Sequence, residues 1–133
     1  MTTTFDQVDQ LYALLTVPAS GITAAISGKV YRNDRFSPGL EDIVINSLPV
    51  GEGGYLQGGY ANVNIYVPDL TVKGLSVANE ARLSTLTTLV LTVVESHYAD
   101  EFDMHCEYQD VMAEPETGSH YATLRVRFRH YNL

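Results

Sequence analysis

The chain has 133 residues, with sixteen acidic against eight basic side chains, a formal net charge of −8 and a single cysteine. At 45% hydrophobic it is not a disordered chain, and its length suits one domain, 1–133, that closes a core without cross-links. Cys106 alone forms no internal disulfide and fits a reducing compartment, and the acidic balance argues against a protein that grips nucleic acid, which needs clustered Lys and Arg.

The first ten residues hold no basic stretch leading into an apolar run, so no secretory leader is expected. Thr4 opens a helix, and Gln7 completes a Thr-x-x-Gln capping box. Phe5, Val8, Leu11, Tyr12 and Leu15 share one face, and Pro18 and Gly21 end the element. Ile22 to Tyr31 admits two structures. One is a strand with Ile22, Ala24, Ile26 and Val30 on one side. The other is a short helix over 20–26 followed by a shorter strand. Arg32 to Leu40 reads as a loop from its Asn, Asp, Ser, Pro and Gly.

Glu41 to Leu48 alternates as a strand, with Ile43 and Ile45 facing one way and Val44 and Asn46 the other. Pro49 to Gly59 is a connector with five glycines. It is no phosphate-binding loop, because no Gly-Lys-Ser/Thr follows and the next element is a strand. That strand, Tyr60 to Pro68, points Ala61, Val63, Ile65 and Val67 inward and Asn62, Asn64 and Tyr66 outward. Residues 69–78 lead into a long helix, Asn79 to Tyr98, capped by Ser76 or Asn79. Leu83, Leu86, Val90 and Val93 form its apolar stripe, widened by Leu89, Leu91 and Val94. Arg82, Ser84, Thr85, Thr87, Thr88 and Thr92 interrupt it, so it is no membrane span.

The strongest period-two signal follows. Phe102, Met104, Cys106 and Tyr108 are expected to face the core, with Asp103, His105, Glu107 and Gln109 outside. Asp110 to Ser119 reads as a turn. The last strand, His120 to Tyr131, sends Ala122, Leu124, Val126 and Phe128 inward and Thr123, Arg125, Arg127 and Arg129 outward. Antiparallel pairing about residue 116 sets Glu107 against Arg125, His105 against Arg127 and Asp103 against Arg129. Such opposite charges contribute roughly 0.2–1 kcal/mol per pair. The order helix, three strands, helix, two strands describes an α+β fold: a two-layer sandwich, a mostly antiparallel sheet of about five strands with two helices packed on one face.

No catalytic, cofactor-binding or metal-binding residue is expected. His97, His105, His120 and His130 lack ligand spacing, and His105 and Cys106 are strand neighbours pointing to opposite faces. Cys106 belongs to the inward set, away from the exposed, electropositive niche a nucleophilic thiolate needs. Glu41 and Asp42 are adjacent on a strand and diverge.

Three stretches carry a resemblance: GKVYRNDRFSPGLEDIVINSLPV (28–50), YANVNIYVPDL (60–70), and the helix ARLSTLTTLVLTVVE with the strand HYATLRVRFR. In this order they resemble the phage and prophage tail terminator, or tail completion, family of minor tail proteins. One departure is Phe36 after Arg35, where close relatives are expected to carry proline. The resemblance implies a structural role. Copies form a ring, usually of about six, that caps the tail tube and meets the head connector. The partners are then other copies of the chain, the tail tube protein and the head-connector protein. DNA passes through without specific binding, and no membrane is involved. The implied location is the bacterial cytoplasm during assembly and then the virion tail. An acidic wall suits a channel that DNA crosses without adhering. The loops 32–40 and 49–59 and the outward face of the last hairpin are the expected contact regions, with Arg35, Glu52, Tyr55, Arg125, Arg127 and Arg129 as candidate interface residues. The alternatives are an adaptor of a secretion or conjugation apparatus and a small enzyme of unknown chemistry.

Overall fold

The computed structural model describes residues 4–35, 39–50, 56–95 and 102–131. Helix α1 (Thr4–Thr16) buries Val8, Leu11 and Leu15, three and four residues apart, with Tyr12 and Leu14 at the margin of the stripe. The side chains of the Thr4–Gln7 capping box lie outside the described ones. Pro18 starts a single 3-10 turn, Pro18–Ser20, and Gly21 closes it at φ 75°, a left-handed conformation that suits glycine.

The ambiguous stretch after Gly21 takes the second of its two courses. A four-residue helix α2 (Ile22–Ala25) precedes a three-residue strand β1 (Val30–Arg32). Gly28 explains why the strand starts late. Its N–H donates to the Glu41 carbonyl at 2.8 Å, and a Cβ at this position would stand 1.8 Å from Asp42 Oδ1. The backbone passes where no side chain fits.

Strand β2 (Asp42–Val50) runs parallel to β1 and antiparallel to β3 (Leu56–Pro68). Both β2 and β3 extend into the glycine-rich connector, further than their alternation alone predicts. Gly58 and Gly59 are held in the ladder by Arg129 and Phe128 opposite, so pairing overrides the weak strand preference of glycine. Residues 51–55 lie outside the described ones.

Where the sequence suggests a plain connector, two three-residue strands form a separate hairpin, β4 (Leu70–Val72) with β5 (Leu75–Val77). Its tip is Lys73-Gly74, both at positive φ (51° and 79°), as a two-residue type I′ turn requires. Helix α3 (Glu80–Glu95) follows. Asn79 is its N-cap: Asn79 Oδ1 accepts the Arg82 N–H at 3.3 Å. Ser76 instead donates to Asp69. The buried stripe of α3 is Leu83, Leu86, Val90 and Val94; the step from Val90 is four residues, which leaves Val93 only half-buried.

Strand β6 (Phe102–Glu114) and strand β7 (Ser119–Tyr131) close the sheet, in the order β1-β2-β3-β7-β6. Their strands continue much closer to the turn than expected, which is only Pro115–Thr117 plus Gly118 at φ 62°. The helices cover one face, and Ile43, Ile45, Ala61, Val63, Ile65, Val67, Leu124, Val126 and Phe128 meet α1 and α3 there in one core. The fold is α+β, two layers, with every strand pairing in the large sheet antiparallel except β1–β2. Among the described residues, no helix is long and apolar enough to cross a membrane.

Candidate subunit interface

The face of the sheet away from the helices holds most of the residues singled out in the sequence. From Phe102 to Cys106 the β6–β7 register is the expected one, so Asp103 opposes Arg129 and His105 opposes Arg127. The third expected pair does not form. A bulge at Glu107 inserts one residue, Tyr108 comes opposite Arg125, and every later β6 side chain changes face. Tyr108 therefore leaves the inward set and is 49% exposed, with the Arg125 guanidinium 5.5 Å from its ring centre. Glu107 pairs diagonally with Arg127 at 3.1 Å. The Asp110 carboxylate accepts the Tyr108 hydroxyl at 3.2 Å, and that hydrogen bond raises the phenol above its ordinary range.

The outer edge of β6 is blunted at one point. Glu95, in the last turn of α3, reaches round and accepts the Cys106 N–H at 2.9 Å, with His105 Nδ1 3.3 Å from its other oxygen. Such a cover removes one exposed N–H from an edge that would otherwise recruit another strand. The Cys106 thiol is half-buried against the core and donates to the Tyr108 carbonyl, and burial pushes it up from the usual thiol range.

At the other end of the same face Arg35 turns inward. Its Nε donates to Asp42 Oδ2 at 2.8 Å, and a second guanidinium nitrogen donates to the Leu40 carbonyl at 3.0 Å. The Lys29 N–H donates to the remaining Asp42 oxygen at 2.9 Å. The guanidinium lies 4.3 Å from the centre of the Tyr66 ring, and Tyr66 in turn packs on Tyr121 at 4.8 Å. With the Arg35 side chain 9% and Asp42 1% exposed, the pair is a strut that fixes Arg35 against the start of β2. Arg35, expected at a subunit contact, is thus engaged within its own chain. Burial pushes the Tyr66 phenol up, with the Glu114 carboxylate adding to the shift.

Two further polar knots anchor the elements around the sheet. Arg82 of α3 donates to both Glu41 oxygens, at 2.5 and 3.0 Å, and to the Ala25 carbonyl, so one side chain ties α3, α2 and the start of β2. The Arg82 hydrogen bond holds the Glu41 carboxyl below its usual range, against burial that raises it. Asp69, just before the small hairpin, accepts from Ser76 at 2.7 Å and pairs with His120 Nδ1 at 2.6 Å, while its N–H donates to the Gly118 carbonyl. Burial raises the Asp69 carboxyl, but the Ser76 and His120 hydrogen bonds outweigh it and the net shift is downward. Ser76, Asp69 and His120 are not a nucleophilic triad: the carboxylate sits between the hydroxyl and the imidazole, so the imidazole is not placed to take the serine proton.

Of the six candidate interface residues, Arg125 and Arg127 are exposed side by side on β7, and Arg35 is internal. Arg129 stands opposite Gly58 and Asp103 in the ladder, its side chain outside those described, and Glu52 and Tyr55 lie outside the described residues altogether. His97 also lies outside; His105 and His120 are each engaged by a carboxylate, and among the described residues no group of three or more ligating side chains gathers. Sequence reasoning missed the small hairpin and the Glu107 bulge. The signals were present: Lys-Gly between two apolar-polar-apolar triplets, and the loss of alternation in Glu107–Met112. Neither the known protein-family models nor the characterised proteins searched give a match to this chain.

Proposed function

We propose that this chain is a non-enzymatic structural subunit of the phage tail-terminator kind, which joins head-to-tail with copies of itself into a ring, about six in number, at the end of a tail tube. In this role it meets the tube protein on one side and the head connector on the other, and DNA crosses its acidic channel without sticking. It acts in the bacterial cytoplasm during assembly and stays in the virion tail, and it takes no cofactor. The observation that carries the reading is strand β6. It is one of the sheet's two edge strands, and beyond the bulge it exposes Tyr108, Val111 and Met112 at 49%, 54% and 46%. A long edge with uncovered apolar side chains is an aggregation hazard for a lone chain and a docking surface for an assembly subunit.

The test is assembly. Purified protein mixed with tail tubes is expected to cap their ends as rings in electron micrographs, and Arg125→Glu or Arg127→Glu is expected to abolish capping while leaving the circular dichroism spectrum intact. Tubes that stay uncapped by the unmodified chain refute the role. Capping unchanged in both variants removes the β7 face from it.

One observation favours a second reading, an adaptor of a secretion or conjugation apparatus. Asn64 is 8% exposed, and among the described residues its buried Oδ1 has no hydrogen-bond partner. It lines a polar groove of about 310 Å³ on the outer face with Asn62, Tyr121 and Thr123. A donor from a bound segment would satisfy it.

A further inference from the structure

We propose that the β4–β5 hairpin of one copy docks, apolar side down, into the groove between α3 and β6 of a neighbouring copy. The inference rests on the ring reading and names the two surfaces that meet. The hairpin register, Leu70 opposite Val77 and Val72 opposite Leu75, places all four aliphatic side chains on one side. All four are exposed, Leu75 by as much as 68%. Thr71 and Ser76 take the other side, and Ser76 is fastened to Asp69, whose N–H and carboxylate fix the root against Gly118 and His120. The hairpin is thus rooted firmly but uncovered where it is most apolar. A lone two-stranded hairpin is marginal in water, and cover on that side is what it lacks.

The groove has the matching character. It is open, about 580 Å³, floored by the buried Leu83, Ala122 and Leu124, with Leu91 and the exposed Val111 as its apolar walls beside Ser84, Thr87 and Thr88 of α3. It exists because of the bulge. The inserted residue turns Gln109 and Val111 toward the helix layer, beyond the reach of the α3 stripe, and leaves Val111 uncovered. The hairpin of the same chain does not fill it: none of residues 70–77 lines the groove.

Charge selects the occupant. The hairpin tip carries Lys73, and the groove lining carries Glu80 at the start of α3. Lys73 sits at φ 51°, where Asn, Asp or Gly fits with less strain. The strained position places an ammonium at the turn of the hairpin. A second copy of the chain offers both the aliphatic cover and the carboxylate. Because hairpin and groove are different surfaces, the contact is heterologous, and repeated copies close a ring when the rotation between them allows.

Sedimentation velocity over a concentration series tests this. The unmodified chain is expected to grow beyond a monomer. Leu75→Asp is expected to weaken association at least about tenfold. Thr71→Asp, on the other side of the hairpin, leaves it unchanged. Lys73→Glu weakens association, and Lys73→Glu combined with Glu80→Lys restores it. All these side chains are exposed, and unchanged thermal melts confirm that the variants fold. A chain that stays monomeric at its highest soluble concentration overturns the inference, as does Leu75→Asp associating like the unmodified chain. If rings persist in Leu75→Asp, the ring reading stands and this contact falls. If the largest species is a dimer lost in Leu75→Asp, the contact stands and the ring falls.

Discussion

Replacing Arg35 by methionine separates a strut from an interface residue. The Asp42 side chain is 1% exposed, and its charge is met by Arg35 Nε at 2.8 Å and the Lys29 N–H at 2.9 Å. Methionine keeps much of the volume and removes the cation, so a carboxylate is left almost dry with one backbone donor. Removing one partner of a buried pair costs ~3–5 kcal/mol, because the other charge stays behind uncompensated. The lost guanidinium–Tyr66 contact adds ~0.5–1 kcal/mol to that. For a domain whose whole stability is of order 5–15 kcal/mol, this is a large share. Urea unfolding followed by circular dichroism reads it directly. With a slope of ~1–3 kcal/mol per molar urea, a loss of 3 kcal/mol lowers the midpoint by ~1–3 M. Arg35→Met with Asp42→Asn removes both charges, and the double variant is expected to be more stable than Arg35→Met alone. The signature is a coupling of at least ~1.5 kcal/mol in the cycle. Arg125→Met and Arg127→Met, on the exposed face, are expected to move stability by no more than ~0.5 kcal/mol. An Arg35→Met midpoint equal to that of the unmodified chain, or an additive cycle, would refute the strut.

Other outcomes follow from the same packing. Gly28→Ala drives a methyl into Asp42 Oδ1 and the Glu41 carbonyl, at 1.8 and 2.6 Å, and is expected to destabilise by at least ~2 kcal/mol in urea; a loss under ~0.5 kcal/mol would contradict the close approach. Leu86→Ala, at 1% exposed, is expected to cost ~2–5 kcal/mol, and Val93→Ala distinctly less, because the α3 stripe runs through Val94. Glu41 has a folded pKa lowered from the ordinary 4.5, so its bond to Arg82 stabilises fully above that value and is lost as pH falls through the lowered one. Melting temperature measured across this acid range is expected to fall less steeply in Glu41→Gln than in the unmodified chain. Equal slopes would detach Glu41 from acid sensitivity.

Much of the layer plan was legible because burial imposes a period. Val8–Leu11–Leu15 and Leu83–Leu86–Val90 carry the helix repeat, and Ala61–Val63–Ile65–Val67 and Leu124–Val126–Phe128 carry the strand repeat, each against the same core. The cross-strand charges even placed His105 against Arg127 and Asp103 against Arg129. What escaped is set by contacts between distant segments. Arg35 lies in a stretch of Asn, Asp, Ser, Pro and Gly that reads as surface, and the close approach of Gly28 and Lys29 to β2 helps bury Asp42 as its partner. One inserted residue at Glu107 reverses the facing of the rest of β6, and a period count that assumes an unbroken strand has no place for it.

The two irregularities have a common consequence. An uninterrupted β6 would aim Tyr108 at the helix layer and Val111 at the outer face; the bulge exchanges these directions, opening the Val111-walled groove beside α3 and freeing Tyr108 to meet Arg125. The unforeseen β4–β5 hairpin, in turn, carries the other uncovered aliphatic cluster on the described surface. Local rules are obeyed where a chain satisfies itself and broken where it keeps surface for something else. On that argument the bulge and the hairpin are two halves of one contact. Straightening β6 by deleting Glu107 is then expected to abolish self-association as completely as Leu75→Asp does. A deletion variant that melts cooperatively and still associates would show that the groove has no share in the contact.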